Sequence, residues 1–325
     1  MMGGERRVVK LSVIVPSYRR PDSLRRCLEG ILANTRPPDE LIAVVRDTDA
    51  ESQYEADKVA ITDGRGLLRR VHVHEAGQVA AINMGIASAT GDVLCFTDDD
   101  TVPGPRWLER LAKAYDDPQV AGVGGPDRIV GLAETGPASV VGRVTWYGRV
   151  VGNHHVGSQG IVRVDHLKGA NMSFRREALP PFDPNLFHAA SMLNDTDASL
   201  GARRHGILLY DPEAVVDHYG LERGAGVPRE VNTPEVAEAD SHNWVYCMLK
   251  HLPTWSKPAF LAYALFVGQG ARFGLVKWLG ALPGRPASAT RQFAASTRGK
   301  LRGVRTYLAR RRRREPARPE GIDAA

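Results

Sequence analysis

The run "LSVIVPSYRRPDSLRRCLEGILANTRPPDELIAVV", residues 11 to 45, constrains the fold more than any other stretch. From Val8 to Val15 the residues are largely apolar and β-branched on both alternations, which suits a strand buried on both faces. Pro21 then stands at a first helical position, and Leu24, Cys27, Leu28, Ile31 and Leu32 recur at steps of three and four, giving one apolar helix stripe. A second apolar strand, Glu40 to Val45, follows. A strand, a one-faced helix and a strand in this order require a parallel sheet with helices laid against it.

The pattern continues along the chain. Arg69 to Val73 reads as a third strand, "GQVAAINMGIASATG" as a helix ending at Gly91, and "DVLCF" as a fourth strand, so the predicted rhythm is β-α-β-β-α-β. Later, "KGANMSFRREAL" reads as a strand or loop entering a helix, "LNDTDASLGARRHG" as a helix stopped by Gly206, and "ILLYDPEAVVDHYG" as a strand with a turn. Residues 131 to 165 carry no clear period. The implied class is an open α/β sheet, in which ligands bind beyond the carboxyl ends of strands. Three polar segments fall at such ends: "PSYRR", "RDTD" and "DDD".

The chain has 325 residues, 43% hydrophobic and 25% charged, a globular composition that excludes disordered and fibrous classes. Its net charge of +6 would invite a nucleic-acid partner, but from Arg291 onward there are eleven Lys or Arg against three Asp or Glu, more than the entire surplus. The body therefore gives no reason to expect nucleic acid. Cys27, Cys95 and Cys247 sit in apolar patterns without metal-like spacing, so buried thiols and a reducing compartment are expected. The apolar run at the start is too short, and too charged at its flanks, for a secretory signal.

Beyond residue 220 a polar linker leads into an aromatic-rich region broken by prolines. Pro258 to Val276 approaches the length of a membrane span, but Gln269 and Arg272 interrupt it. With Trp244, Trp255 and Trp278 nearby and Arg310 to Arg314 in an unbroken run, a helix pair lying on an anionic membrane surface is expected. The alternative is an ordinary helical subdomain. The expected division is 1–220 catalytic, 221–308 helical and membrane-associated, and 309–325 a basic disordered tail.

Three adjacent carboxylates repel unless a cation sits among them. Asp98-x-Asp100 has the spacing to offer oxygens to one Mg²⁺ or Mn²⁺, hard ions that share carboxylates with substrate phosphates; the alternative is a solvated acidic turn. "LNDTD" places Asp195 and Asp197 at a helix start, where they are either general bases or simple caps. Adjacent His154 and His155 point opposite ways on an extended segment, so a polar loop is expected there, not a metal pair.

"LSVIVPSYRRPDSLRRCLEGILANTRPPDELIAVV", "GQVAAINMGIASATGDVLCFTDDD" and "NDTDASLGARRHGILLYDPEAVVDH" stand in an order that resembles family-two glycosyltransferases over about Lys10 to His218. The resemblance implies a GT-A nucleotide-sugar fold, an open, mixed, mostly parallel sheet with helices on both faces, that transfers a sugar with inversion. It implies that Asp98 and Asp100 hold Mg²⁺ or Mn²⁺ with His218, and that Pro16, Ser17, Tyr18, Arg20, Asp47, Gln78, Asn83, Asp98 and Asp99 line the nucleotide site. Gly169, Ala170 and Asn171 match the loop under the donor sugar, Asp195 the base, and Asp197 its fallback. Where members often show two adjacent acids, this chain has Arg46 then Asp47, which leaves uridine versus guanosine open. "QGARF" echoes the Q-x-x-R-W signature of processive synthases but lies far from the acidic motif and ends in Phe273, so single-sugar addition is implied. The expected partners are a nucleotide-sugar donor, a UDP-sugar before others, and a glycan or lipid-linked acceptor at the cytoplasmic face of the cell membrane. Within enzymes the rival is a sugar nucleotidyltransferase, though "PSYRRP" lacks the glycines of its phosphate loop; outside them it is a basic membrane- or nucleic-acid-binding protein.

Overall fold

The computed structural model describes residues 9–131, 136–186, 193–219 and 233–314. They fall into two compact units, the first drawn from within 1–145 and 149–229, the second from 146–148 and from 233–314. The expected boundary at 220 and the polar linker after it lie outside the described residues.

In the first unit, β1 (Leu11–Ser17), α1 (Pro21–Leu32), β2 (Glu40–Arg46), α2 (Ala50–Asp63), β3 (Leu68–Val73), α3 (Gln78–Ser88) and β4 (Val93–Phe96) alternate without a break. The expected β-β step between the second and third strands is corrected: α2 lies there. It escapes a search for apolar periodicity because it buries only Ser52, Ala56 and Val59. Its ends were nonetheless written locally, with Asp49 accepting from the Ser52 N–H at the start and Gly64 just past the end.

The chain continues through β5 (Thr101–Pro103), α4 (Trp107–Ala114), β6 (Val120–Gly124), β7 (Asp127–Ile129), β8 (Arg143–Val144), β9 (Val150–Val151), β10 (Val162–Val164), β11 (Met172–Arg175), α5 (Asn194–Ala202), β12 (Ile207–Tyr210) and β13 (Val216–His218). After β11 the chain makes only a short 3-10 turn, Arg176–Ala178, in place of the expected helix. Eight strands form one sheet in the order β10-β12-β6-β11-β4-β1-β2-β3. β3, β2, β1, β4, β6 and β12 run one way; β11 and β10 run against them. The mixed, mostly parallel α/β sheet expected from the sequence is present.

Its central strands β1, β2, β4 and β6 are buried on both faces, and alternate residues feed two separate cores. Leu11, Val13 and Val15 pack with Leu24, Leu28 and Ile31 of α1 on one side. Ile14, Ile42 and Val44 pack with Val79 and Ile82 of α3 on the other. The two-residue strand period makes this division unavoidable. A polar group cannot sit in the middle of such a strand without a partner, so chemistry is pushed to the ends.

A second sheet, β5-β13-β7, lies next in the chain's topology to the carboxyl end of β4. β13 pairs antiparallel to β5, with His218 opposite Thr101, and parallel to β7, with Val216 opposite Asp127.

The second unit contains α6 (Pro234–His251), α7 (Lys257–Phe266), the hairpin β14 (Gly268–Gln269) and β15 (Arg272–Phe273), α8 (Leu275–Ala281) and α9 (Pro286–Arg314). α6 and α9 lie against each other at close range, because a Cβ at Gly299 or Gly303 would meet α6 backbone at 2.1 or 2.7 Å. Trp244, expected near a membrane surface, is fully buried between Phe260 and Tyr263 and donates to the Gly148 carbonyl. The "QGARF" segment is the hairpin, and Arg272 forms a two-bond ion pair with Asp240 at 2.8 Å while covering the Trp244 ring. That is a structural job within this unit. The tail expected to be disordered from 309 is helical through Arg314, and no described helix is long and apolar enough to cross a membrane.

α3 seats on β1 and β2 through Gly85, where an added Cβ would meet the Ile14 and Val44 side chains at 2.4 and 3.1 Å. Gly85→Ala is therefore expected to destabilise despite its better helix propensity, by about 1–3 kcal/mol from overpacking. Thermal unfolding should show a fall of several degrees in Tm; an unchanged or higher Tm would show that α3 moves aside freely.

Candidate functional site

The strand directions put the ends of β1, β2, β3 and β4 on one edge, and the start of antiparallel β11 beside them, since Met172 pairs with Phe96. The segments that follow β1, β2 and β4 are the three expected from the sequence. The segment that follows β3 adds His74.

The three aspartates do different work. Asp99 is buried and accepts from the Ser17 hydroxyl at 2.7 Å and from Arg20 Nη1 at 3.0 Å. The same nitrogen donates to Asp100 Oδ2 at 2.8 Å. The other oxygen of Asp100, Oδ1, faces His218 Nε2 at 3.3 Å. Asp98 lies alongside and accepts from Gln78 Nε2 at 3.3 Å. Ser17, Arg20 and Asp99, expected to line the nucleotide site, are thus engaged with one another as the frame that holds Asp100.

Electrostatics follow from this arrangement. Burial pushes the Asp99 carboxyl up to about 7, against the opposing pull of Arg20. Burial would also raise Asp100, but its contact with His218 and the charges of His218 and Arg20 outweigh it and hold the carboxyl below its ordinary value. His218 is raised to about 10 by its hydrogen-bonding contact with Asp100 and by the carboxylate of Asp127, over the opposing effect of burial. Asp127, buried at the start of β7, stands 3.8 Å from His218 Nδ1, a buried nitrogen with no hydrogen-bond partner of its own. Asp127 was not anticipated, because β6, the strand that delivers it, went unassigned; "QVAGVGGPD" carries glycines where a strand pattern seeks β-branched residues.

One oxygen each from Asp98 and Asp100 and one nitrogen of His218 lie within 4.8 Å of one another. Two carboxylates and an imidazole at that separation fit a hard divalent ion, and Mn²⁺ accepts such a mixed set readily.

Tyr18 and Asp47, expected to line the nucleotide site, follow β1 and β2 at this edge. Tyr18 is exposed, with the guanidinium groups of Arg19 and Arg46 5.1 and 5.9 Å from its ring centre. Asp47 pairs with His74 Nδ1 at 2.8 Å, which holds its carboxyl below the usual range. Pro16 occupies the end of β1 opposite Val44. Arg19 has a left-handed φ of 55°, and its N–H donates to Asp49, so the turn is held in a conformation that non-glycine residues seldom adopt. Both ends of the Asn83 amide bond the Phe182 backbone at 2.9 Å.

The loop before β11 links the aspartates to α5. Thr97 Oγ1 donates to the Ala170 carbonyl at 2.8 Å, and the Gly169 N–H donates to Asp195 Oδ2 at 3.0 Å. Asn171 is fully buried, donating to the Pro126 and Ala214 carbonyls and accepting from the Trp107 indole, so it supports the loop from below. Asp195 is part-exposed, whereas Asp197 is buried within the first turn of α5. Leu193, immediately before α5, holds a left-handed φ of 69°, a strained entry that sets the start of the helix. His154, expected in a polar loop, is instead buried, with its ring 4.9 Å from that of His166, while His155 is exposed. Burial lowers His154 to about 4 and keeps it neutral.

A mixed α/β sheet with an aspartate-histidine cluster at the end of a central strand defines the GT-A class of nucleotide-sugar-binding folds, and solved structures agree. A mannosyltransferase from Pyrobaculum calidifontis, solved with GDP-Man and Mn²⁺, superposes with a TM-score of 0.55 at 17% identity, covering 91% of this chain and 87% of its own. GalNAc-T7, solved with UDP, GalNAc and Mn²⁺, gives 0.62 at 17% identity over 98% and 60%. The chain belongs to glycosyl transferase family 2, whose model matches residues 12–179. Among curated relatives, a glucosyl-dolichyl phosphate glucuronosyltransferase of Haloferax volcanii is 29% identical over 175 residues, 52% of this chain and 53% of that protein. The pre-mycofactocin glycosyltransferase of Mycobacterium tuberculosis is 44% identical over 63 residues, 19% and 13%. The chain thus spans about half, or less, of the length of these relatives. Family membership sets the nucleotidyltransferase alternative aside.

The folded value of His218 lies above the free value of 6.5, so its pairing adds stability that is complete below that pH and is lost as pH rises through about 10. Without divalent ion, NMR titration should find His218 still protonated at about pH 8, and Asp127→Asn should lower its midpoint. A midpoint near 6.5 in both proteins would contradict the pairing.

Proposed function

We propose that this chain is an inverting, non-processive glycosyltransferase that moves one sugar from a nucleotide donor to a hydroxyl of a polysaccharide or lipid-linked glycan. The observation that carries the reading is the continuous connection from Asp98 and Asp100, through Thr97, Ala170 and Gly169, to Asp195. Donor and acceptor chemistry need groups on opposite faces of the transferred sugar, and a rigid connection between the aspartates and Asp195 supports reading them as those two groups.

Asp98, Asp100 and His218 are the residues that would hold Mn²⁺ or Mg²⁺. Such an ion, when bound, neutralises the charge that develops on the departing diphosphate without any proton transfer. Oδ2 of Asp100 is held by Arg20, so Oδ1 is the oxygen that would be offered to such an ion. Tyr18 offers its ring to the base, and Asp47 with His74 offers polar contacts beside it. Asp195 accepts the proton of the attacking hydroxyl; its Oδ2 is oriented by the Gly169 N–H, and the buried Asp197 is the lesser candidate. A UDP-sugar is the first donor to test, with GDP-sugars next, since solved neighbours carry each nucleotide. The lipid-linked acceptor, and with it a peripheral site at the cytoplasmic membrane face, draws support from the dolichyl phosphate named for the Haloferax relative.

A thermal-shift panel of UDP, GDP, CDP and dTDP with and without Mn²⁺ tests the donor site. One diphosphate should stabilise the wild type, by about 2.7 kcal/mol at a hundredfold excess over Kd. Asp98→Ala/Asp100→Ala should abolish the shift; stabilisation that ignores both metal and aspartates would overturn the assignment.

Asp195→Asn should retain that shift while cutting sugar transfer by about a hundredfold or more. Full activity in Asp195→Asn alongside an inactive Asp197→Asn would move the base to Asp197.

A further inference from the structure

The second unit carries an outward apolar surface that its own fold does not cover. On α7 the exposed positions are Pro258, Leu261, Ala262, Leu265 and Phe266, spaced by three and four, so one whole face of the helix is apolar and open to solvent. α8 repeats the device with Val276 and Leu279, exposed at 62% and 51%, and has no buried residue at all. The two helices touch. Trp146 and Trp255, 57% and 69% exposed, stack at 5.9 Å beside each other. A soluble surface rarely displays contiguous apolar side chains of this size unless something binds there.

Charge decides what binds. Between His251 and Arg314 the sequence has fourteen Lys or Arg and not one Asp or Glu. The same stretch holds α7, α8 and α9, including exposed Arg311, Arg312 and Arg313. An acidic protein or a nucleic acid would answer the charge but leave Leu265, Phe266, Val276 and Leu279 in water. A bilayer with anionic head groups answers both, taking leucine, phenylalanine and tryptophan at the acyl boundary and the cations at the head groups.

We infer that α7, α8 and the stacked Trp146–Trp255 pair form a monotopic docking surface for an anionic lipid bilayer. The apolar stripes enter the head-group layer without spanning it, in keeping with the absence of a spanning helix among the described residues. This deepens the proposed membrane location of the enzyme by giving it a face. Its test uses no nucleotide, sugar or acceptor, so its failure leaves the transfer reading standing.

The experiment is co-sedimentation of the full chain with vesicles of phosphatidylcholine alone and of equal parts phosphatidylcholine and phosphatidylglycerol. The chain should sediment with the mixed vesicles and far less with the neutral ones. Leu265→Glu/Phe266→Glu should reduce the bound fraction about tenfold, and Arg311→Gln/Arg312→Gln/Arg313→Gln should weaken binding at low salt. Because a variant can fail through misfolding, wild-type tryptophan emission is followed in parallel with brominated acyl chains. Quenching, lost in Trp146→Phe/Trp255→Phe, places the pair at acyl depth. No sedimentation with either vesicle overturns the inference, as does binding that Leu265→Glu/Phe266→Glu leaves intact and that duplex DNA competes away.

Discussion

A strand covered on both faces can carry polar chemistry only where it stops. In this protein β1, β2 and β4 obey that constraint, with Val13 and Val15 committed to one core and Ile14 to the other. Everything reactive is consequently delivered at one edge, by loops whose anchoring is set by the strand register. Arg20 shows how the constraint is satisfied electrically. One guanidinium nitrogen spans Asp99 and Asp100, so the carboxylates that sequence alone makes look repulsive already have a resident cation. Asp99 is sacrificed to structure, buried against Ser17, and Asp100 keeps one oxygen turned toward His218.

Much of this was legible in the sequence. The apolar alternation of β1, β2 and β4 and the stripe of α1 gave the layer order, and the convergence of strand-end loops located the edge. What stayed hidden was hidden for physical reasons. α2 is a mostly solvated helix whose identity rests on its caps, not on a buried stripe. β6 is glycine-bearing because Gly122 and Gly124 lie hard against Phe174 and the Asn171 backbone, so its composition resembles a loop. Missing β6 meant missing Asp127. His74 follows β3 by the same strand-end rule that points to Asp47, and its role shows only in its pairing with that carboxylate.

Roles were harder to read than positions. Ser17, Asp99 and Asn171 occur where a ligand contact was expected, yet each is tied into the scaffold by hydrogen bonds that only coordinates reveal. Trp244 is the counterpart in the second unit: an aromatic that composition would send to a membrane interface is instead its packing centre, capped by the Arg272–Asp240 pair. Residue type names a chemistry; burial decides whether that chemistry is spent inside the fold.

The continuity of α9 through Arg314 carries a geometric consequence. Successive helical residues turn by about 100° about the axis, so Arg310, Arg311, Arg312 and Arg313 fan around nearly the full circumference. Arg310 turns inward and donates to the Tyr246 hydroxyl of α6, so the outward pull falls to the exposed Arg311, Arg312 and Arg313. Three successive positions span about 200° of the helix axis, a broad arc and not a closed ring. The azimuth of this unit on any charged plane is then narrowed further by the exposed uncharged side chains of α7 and α8.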